Sequence, residues 1–429
     1  MPSFKILIAV AGLLLGSPLF AASHKAAPPP MPPMPAQIEL SHHLGEDQAE
    51  RVEALVEQFN SQHKDVHVTM VRRVEGDAPK AINLVTREEY ARFVANKTKF
   101  KPLYEVMHEA REPLAAQLAP ELVIGLADAK GQLFALPVAF STPVLYINKA
   151  AFRKAGLNPE APPKTWVEMQ EAAGKLYDSG NRCPFTTSWP AWVQIDNLSA
   201  WNGGEVSDAK GNLAFNGLVQ VKHVAMLATW HKSKYFVYFG RRDEADRRFA
   251  NGECAMLTSS SSLFASLVED KALEVGVSTL PYHDDQRGAP QNTLADGASL
   301  WIANGMKPAE TKGVAKFINY VLGPEVQIKL TLAGGFLPMT AVARTAAGSQ
   351  LLGADLAALQ VAYAQLGGKS FVPLNRVSQN AALRSIVDEE LESVWANRKP
   401  AKEALDNAVA RGNAILHAES PAPVRRHGK

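Results

Sequence analysis

An excess of charge of either sign is missing from this chain. Lys and Arg number 45 against 43 Asp and Glu, a formal net charge of +2. That balance gives no reason to expect nucleic acid or an anionic membrane surface as a partner. Long apolar runs are scarce as well: the one at Ile6 to Leu15 is too short to cross a bilayer, and no second one follows. The usual catalytic signatures are missing. There is no nucleophile elbow, no dinucleotide glycine pattern and no carboxylate pair framed by aromatics. Gly367–Gly368–Lys369–Ser370 ends like a phosphate loop, but Tyr363 stands where its first glycine belongs. The 11 histidines show no metal-ligand spacing, and His63 and His67 straddle a helix end and a strand. No metal, no cofactor and no enzyme activity is therefore expected.

What is present describes a globular chain. With 429 residues, 46% of them apolar and 21% charged, two domains are the default. Lys5 ahead of the Ile6–Leu15 run, the break at Ser17–Pro18 and small residues at Ala21–Ala22–Ser23 read as a cleaved export signal over residues 1–22. No cysteine follows the cleavage point, so a free periplasmic protein is expected rather than a lipid-anchored one. A proline-rich linker over 23–36 comes next, and a polar, basic, flexible tail over 418–429 ends the chain. The only two cysteines, Cys183 and Cys254, lie in the exported part. An oxidising compartment favours one disulfide between them, with two buried thiols as the alternative.

Periodicity alternates between strand and helix. Strand-like segments at Ile38–Leu40 and Val66–Met70 flank a helix over Asp47–Asn60, which opens an α/β lobe. Ala81–Val85 and Val144–Ile147 read as strands, and Val123–Gly125 with Leu133–Val138 as a hairpin. Ser141–Thr142–Pro143 breaks the apolar sequence at a plausible crossing point between lobes. Thr165 with Glu168 forms a capping box, and Trp166 falls on the buried face of the helix that follows. Gly252–Thr258 reads as turn and strand running into Ser259–Ser262, whose hydroxyls precede a helix at Leu263. Later come a strand at Gly297–Ile302, a helix ending at Gly323–Pro324, a loop at Leu332–Pro338, and helices at Arg384–Trp395 and Ala401–Leu416.

The stretch from Cys183 to Gly204 departs from this pattern. It holds Trp189, Trp192 and Trp201, three of the seven tryptophans, among Ser, Thr, Asn and Gly and without a lysine. Flat aromatic faces beside hydrogen-bonding groups suit a small polar ligand, and irregular core packing is the alternative.

Together with STPVLY (141–146), ANGECAML (250–257), DGASLW (296–301), GGFLPMT (334–340) and VDEELESVW (387–395), this stretch resembles the extracytoplasmic solute-binding proteins of ABC importers. The likeness is nearest to the branch that takes sn-glycerol-3-phosphate and glycerophosphocholine, and it covers Ile38 to Leu416. It implies an α/β, two-lobed periplasmic binding protein fold of class II type. Residues 37–140 with 298–340 would form the first lobe and 141–297 with 341–417 the second. It further implies a monomer that closes on a small-molecule ligand and delivers it to a membrane permease. Carried over position by position, the family's pocket serines fall on Ser141 and Ser260, with Ser261 possible by a one-residue slip. Its backbone glycine falls on Gly297, its arginine on Arg384, its stacking tryptophans on Trp189 and Trp192, and both its cysteines on Cys183 and Cys254.

The departures lie in the first lobe. Phe336 stands where the family has tyrosine, a helix-sized stretch with a pocket tyrosine is lacking between Val71 and Ala78, and Thr86 takes the place of a pocket glutamate, with Glu88 and Glu89 close by. Losing those groups is expected to change how glycerol hydroxyls are read. A diester such as glycerophosphocholine then gains weight beside glycerol-3-phosphate. A sugar or polyol receptor, a scaffold or sensor without solute, and a secreted hydrolase are the alternative functions.

Overall fold

The computed structural model describes residues 34–419 apart from 45, 75, 124, 129, 270–272 and 367–375. The export signal, most of the linker, nearly all of the tail and the Gly367–Ser370 segment lie outside the described residues.

Ten strands form two sheets among those residues: β1 (Ala36–His42), β2 (Val66–Arg72), β3 (Ile82–Val85), β4 (Phe100–Lys101), β5 (Leu136–Ser141), β6 (Pro143–Asn148), β7 (Phe185–Thr187), β8 (Met256–Ser260), β9 (Val275–Ser278) and β10 (Asp296–Ala303). The six-stranded sheet runs β2-β1-β3-β10-β4, with β5 also paired to β10; the four-stranded sheet runs β7-β8-β6-β9. β1 is parallel to β2 and β3, whereas β10 lies antiparallel to β3, β4 and β5. A parallel pair needs a crossover, and the helix Glu46–Gln62 supplies it between β1 and β2. Its Val56 and Phe59 are buried, and Phe59 meets Phe317 of the helix Pro308–Val321 edge-on at 5.1 Å.

The sheets join where the chain needs least length. Thr142 alone separates β5 of the larger sheet from β6 of the smaller one. It is fully buried, its N–H donates to Ser261 Oγ (3.2 Å), and its carbonyl accepts from Ser261 N–H (2.7 Å). The Ser-Thr-Pro break is thus a pinned crossing, with both backbone groups of Thr142 satisfied by the serine run after β8. The smaller sheet is backed by helices Trp166–Asp178, Leu218–Lys232 and Ala381–Trp395, whose buried Trp166, Trp230 and Val387 share one core.

Two expectations change. The hairpin expected between Val123–Gly125 and Leu133–Val138 is shorter and lies nearer its turn. The antiparallel bridge Ala127 to Leu133 is flanked by bonds from Phe134 N–H to the Leu126 carbonyl (2.7 Å) and from Asp128 N–H to the Gln132 carbonyl (2.9 Å), and β5 begins at Leu136 against β10. Asp128 Oδ1 accepts from the N–H groups of Lys130 (2.8 Å) and Gln132 (2.9 Å) and so closes the turn. At the other site, a helix Pro324–Gly334 occupies the start of the supposed Leu332–Pro338 loop. Gly323–Pro324 ends one helix and starts the next, since proline suits the first helical position, and Gly335 at φ 61° terminates it. No described helix is long and apolar enough to cross a membrane.

Candidate functional site

The sheet crossing gathers several of the singled-out residues. Asp296, first residue of β10, stands opposite Ser141, the last of β5. Ser260 at the end of β8 pairs with Pro143, and its hydroxyl donates to Ser141 Oγ at 2.8 Å. Ser260 Oγ also lies 2.7 Å from Ser262 Oγ, so the hydroxyls form a short chain of interchangeable donors. Ser261 instead holds Thr142. Gly297 follows Asp296 and faces Phe140, and a Cβ there would lie 2.0 Å from the Ala139 carbonyl oxygen. Its N–H donates to Asp296 Oδ1 at 2.8 Å. Phe336 is half-buried on the segment whose next residue, Leu337, donates its N–H to the Phe140 carbonyl at 2.8 Å.

The tryptophans arrive on irregular backbone. Trp189 sits at φ 53°, a left-handed conformation uncommon for a bulky residue, and its N–H donates to the Arg242 carbonyl at 2.8 Å. A π-helix, Ala191–Asn197, follows directly; such turns are rare and recur at functional sites. Trp192 Nε1 donates to the Leu294 carbonyl (3.0 Å), and Asn197 Oδ1 accepts from Leu294 N–H (2.8 Å). The segment leading into β10 is therefore held against the π-helix. Trp201 donates to Thr293 Oγ1 at 2.9 Å, which makes it part of the same clamp. Behind the stretch, Cys183 and Cys254 are joined by a disulfide just ahead of the paired strands β7 and β8.

Arginines surround these groups. Arg87 enters from the turn after β3 with its guanidinium carbon 4.0 Å from the Trp192 ring centroid and 5.6 Å from that of Trp189. Its Nε is 3.4 Å from Asp296 Oδ2. Arg376 reaches the same oxygen at 3.3 Å and donates to the carbonyls of Ala295 and Leu294. Gln379 donates to the other oxygen, Asp296 Oδ1, at 3.4 Å. Next to Arg87, Glu88 lies 2.7 Å from Arg242 and 3.4 Å from Arg384. Arg384 stands in the first turn of helix Ala381–Trp395, whose N-terminus is capped by the Asn380 side chain. Arg376 Nε and Arg384 Nη1 are buried without a hydrogen-bond partner among the described residues.

Burial dominates the electrostatics. It lowers the pKa of Arg87, with Asp296 opposing the shift, and that of Arg384, with Glu88 opposing it. Buried guanidiniums remain charged, and at both positions burial outweighs the neighbouring carboxylate. Asp388, one helical turn beyond Arg384, is 2% exposed, and burial pushes its carboxyl up to about 7 against the pull of Arg384 and Arg241. At the half-buried Asp246, desolvation pushes the carboxyl up to about 6 although Ser188 Oγ donates to it at 2.6 Å.

Of the positions read from sequence, Ser141, Ser260 and Gly297 meet at the sheet crossing, and Trp189 and Trp192 meet Arg87. Arg384 joins them through Glu88. Thr86 does not point toward this group: its hydroxyl and N–H both go to Glu89 Oε2, at 3.3 and 3.2 Å. Arg87, Arg376 and Asp296 were not foreseen. The one available signal for Arg87 was its place directly after Thr86, the altered position. No group of His, Cys, Asp and Glu suited to a metal ion occurs among the described residues.

A family profile for bacterial extracellular solute-binding proteins matches residues 54–355. The sn-glycerol-3-phosphate-binding periplasmic protein UgpB of Pectobacterium atrosepticum is 38% identical over 405 residues, covering 88% of this chain and 91% of that protein. Its counterpart from Yersinia enterocolitica is 35% identical over 407 residues, covering 89% and 92%. Among solved structures, UgpB of Mycobacterium tuberculosis in complex with glycerophosphocholine superposes with a TM-score of 0.72 at 19% identity, covering 90% of this chain and 99% of that one. Maltose-bound MalE3 of T. maritima gives 0.70 at 17%, with 89% and 100% covered. The two-lobed fold is shared with both structures, and the profile and the relatives agree: this chain belongs to the bacterial extracellular solute-binding proteins.

Proposed function

We propose that this exported protein captures sn-glycerol-3-phosphate or a glycerophosphodiester at the seam between its two sheets and delivers it to the permease of an ABC importer. The observation that carries this reading is the charge at the seam. Four guanidiniums, those of Arg87, Arg242, Arg376 and Arg384, gather around Asp296 and Glu88, with Asp196 and Asp388 acting on Arg376 and Arg384, and Arg376 Nε and Arg384 Nη1 keep donors without a hydrogen-bond partner among the described residues. An anion supplies acceptors for those donors, and forked guanidiniums match phosphate oxygens. Hydroxyls of Ser141 and Ser260 suit a glycerol backbone, and Phe336 offers an apolar edge without a hydroxyl. Relatives named for sn-glycerol-3-phosphate at 35–38% identity point the same way.

In this reading residues 37–140 with 298–340 form one lobe, 141–297 with 341–417 the other, and the protein acts as a monomer. Glu88, on the first-lobe side, pairs with Arg242 and Arg384 on the second and so fits a closed arrangement. The role is binding and not turnover, which a hydrolysis assay on glycerophosphodiesters checks directly. Calorimetric titration with glycerol-3-phosphate and glycerophosphocholine tests the ligand class. Saturable binding of either supports it; silence from both, with heat from a neutral sugar, overturns it.

A further inference from the structure

A tryptophan face beside a binding site invites a ligand cation, because a quaternary ammonium gains from an aromatic ring within about 6 Å. In this protein that position is taken. The Arg87 guanidinium lies 4.0 Å from the Trp192 centroid, and Trp192 is only 1% exposed beneath it. Trp189 flanks the same guanidinium at 5.6 Å, and Asp296 holds its Nε. A ring on one side and a carboxylate at one edge fix the plane of the fork, which otherwise would cost rotamer entropy to order on binding. A ligand ammonium entering here meets a like charge on the aromatic face it needs.

We propose, building on the functional reading above, that Arg87 determines specificity by serving as a built-in cation. It turns the tryptophan pair from a receptor for quaternary ammonium into a platform for an anion-binding fork. The preferred ligand class is then the phosphomonoester of a small polyol, carrying nearly two negative charges. A zwitterionic diester with a choline group is disfavoured twice: it brings one negative charge fewer, and its cation meets the Arg87 guanidinium on the face of Trp192. The second-lobe positions matching the family pattern do not by themselves set this preference. The residue that sets it follows the altered position Thr86.

The test is a two-by-three titration. Glycerol-3-phosphate and glycerophosphocholine are each titrated into the wild-type protein, Arg87→Gln and Arg87→Ala, with melting temperatures recorded for every variant. Gln keeps much of the packing over Trp192, so it guards against an Ala variant that fails to fold. The wild type is expected to favour the monoester by about tenfold or more, the scale of one charge-assisted contact. Both variants should weaken monoester binding by about tenfold or more while diester binding holds or improves, so the preference collapses or inverts. An unchanged affinity ratio, or equal weakening of both ligands in folded variants, overturns the role of Arg87 and leaves the functional reading intact. Binding of neither ligand by the wild type overturns the functional reading, and this inference with it.

Discussion

Arg384 and Glu88 lie 3.4 Å apart, one from a helix near the end of the chain and the other from the turn after the third strand. The pair links elements of the two sheets, yet Arg384 Nη1 finds no well-formed hydrogen bond in it. A buried guanidinium with spare donors is poised for a better acceptor. Arg384→Ala should therefore lose about 100-fold or more in affinity for the phosphorylated ligand, in line with removing a charge-assisted, forked contact. Trp166→Ala serves as the contrast. Its ring is 3% exposed and packs on His223 at 4.6 Å within the smaller sheet's core. That variant should cost about 3–5 kcal/mol of stability while the folded fraction keeps its affinity; calorimetry and thermal melts separate the two.

Gly297→Ala should be damaging for a local, steric reason. The added methyl would lie 2.0 Å from the Ala139 carbonyl oxygen, so β10 must part from β5 at the point where Asp296 faces Ser141. Both melting temperature and ligand affinity should fall. If Gly297→Ala binds normally, the geometry of the sheet crossing is not what holds the site.

The disulfide closes a separation of 71 residues between Cys183 and Cys254. Cys183→Ser with Cys254→Ser should cost about 2–4 kcal/mol, chiefly by freeing the unfolded chain. Denaturant unfolding under oxidising and reducing conditions measures this. The wild type under reduction should match the double variant.

Asp388 gives a pH-dependent prediction with a definite sign. Its carboxyl titrates near 3.8 when unfolded and at about 7 in the fold, so between those values the folded state holds the extra proton. Stability from this group is full at low pH and is lost as pH rises through about 7. Asp388→Asn removes the linkage. The stability of the variant relative to wild type should rise with pH between about 4 and 7 and then level off, by at most about 4 kcal/mol. Urea melts of both proteins across this range check it; a relative stability that falls with pH would contradict the burial argument.

Part of the candidate site was legible in the sequence. Trp189, Trp192, Ser141, Ser260 and Arg384 each sat in a local motif, and the fold brings Ser141 to Ser260, the two tryptophans to Arg87, and Arg384 to Glu88. Arg87 was not legible because its role depends on a ring more than 100 positions away and on a carboxylate more than 200 positions away. Thr86 drew the attention owed to its neighbour: position by position it occupies the altered site, but its hydroxyl is used locally by Glu89. Asp296 was masked in the same way, since Gly297 beside it carries the motif while Asp296 gathers the charge. In the fold, the hairpin before β5 is shorter than its apolar residues suggested, because from Leu136 onward the chain pairs with the distant β10 instead. The helix Pro324–Gly334 was overlooked because Gly-Pro marks a helix end and a helix start equally well.

The most direct test of the central claim is an isothermal titration of sn-glycerol-3-phosphate into the purified protein, paired with a thermal melt at saturating ligand. The account predicts one saturable site, weakened about 100-fold or more in Arg384→Ala, and stabilisation of about 2.7 kcal/mol at a ligand concentration 100 times Kd. Absence of heat and of any melting shift at millimolar ligand, or binding that survives in Arg384→Ala unchanged, would contradict it.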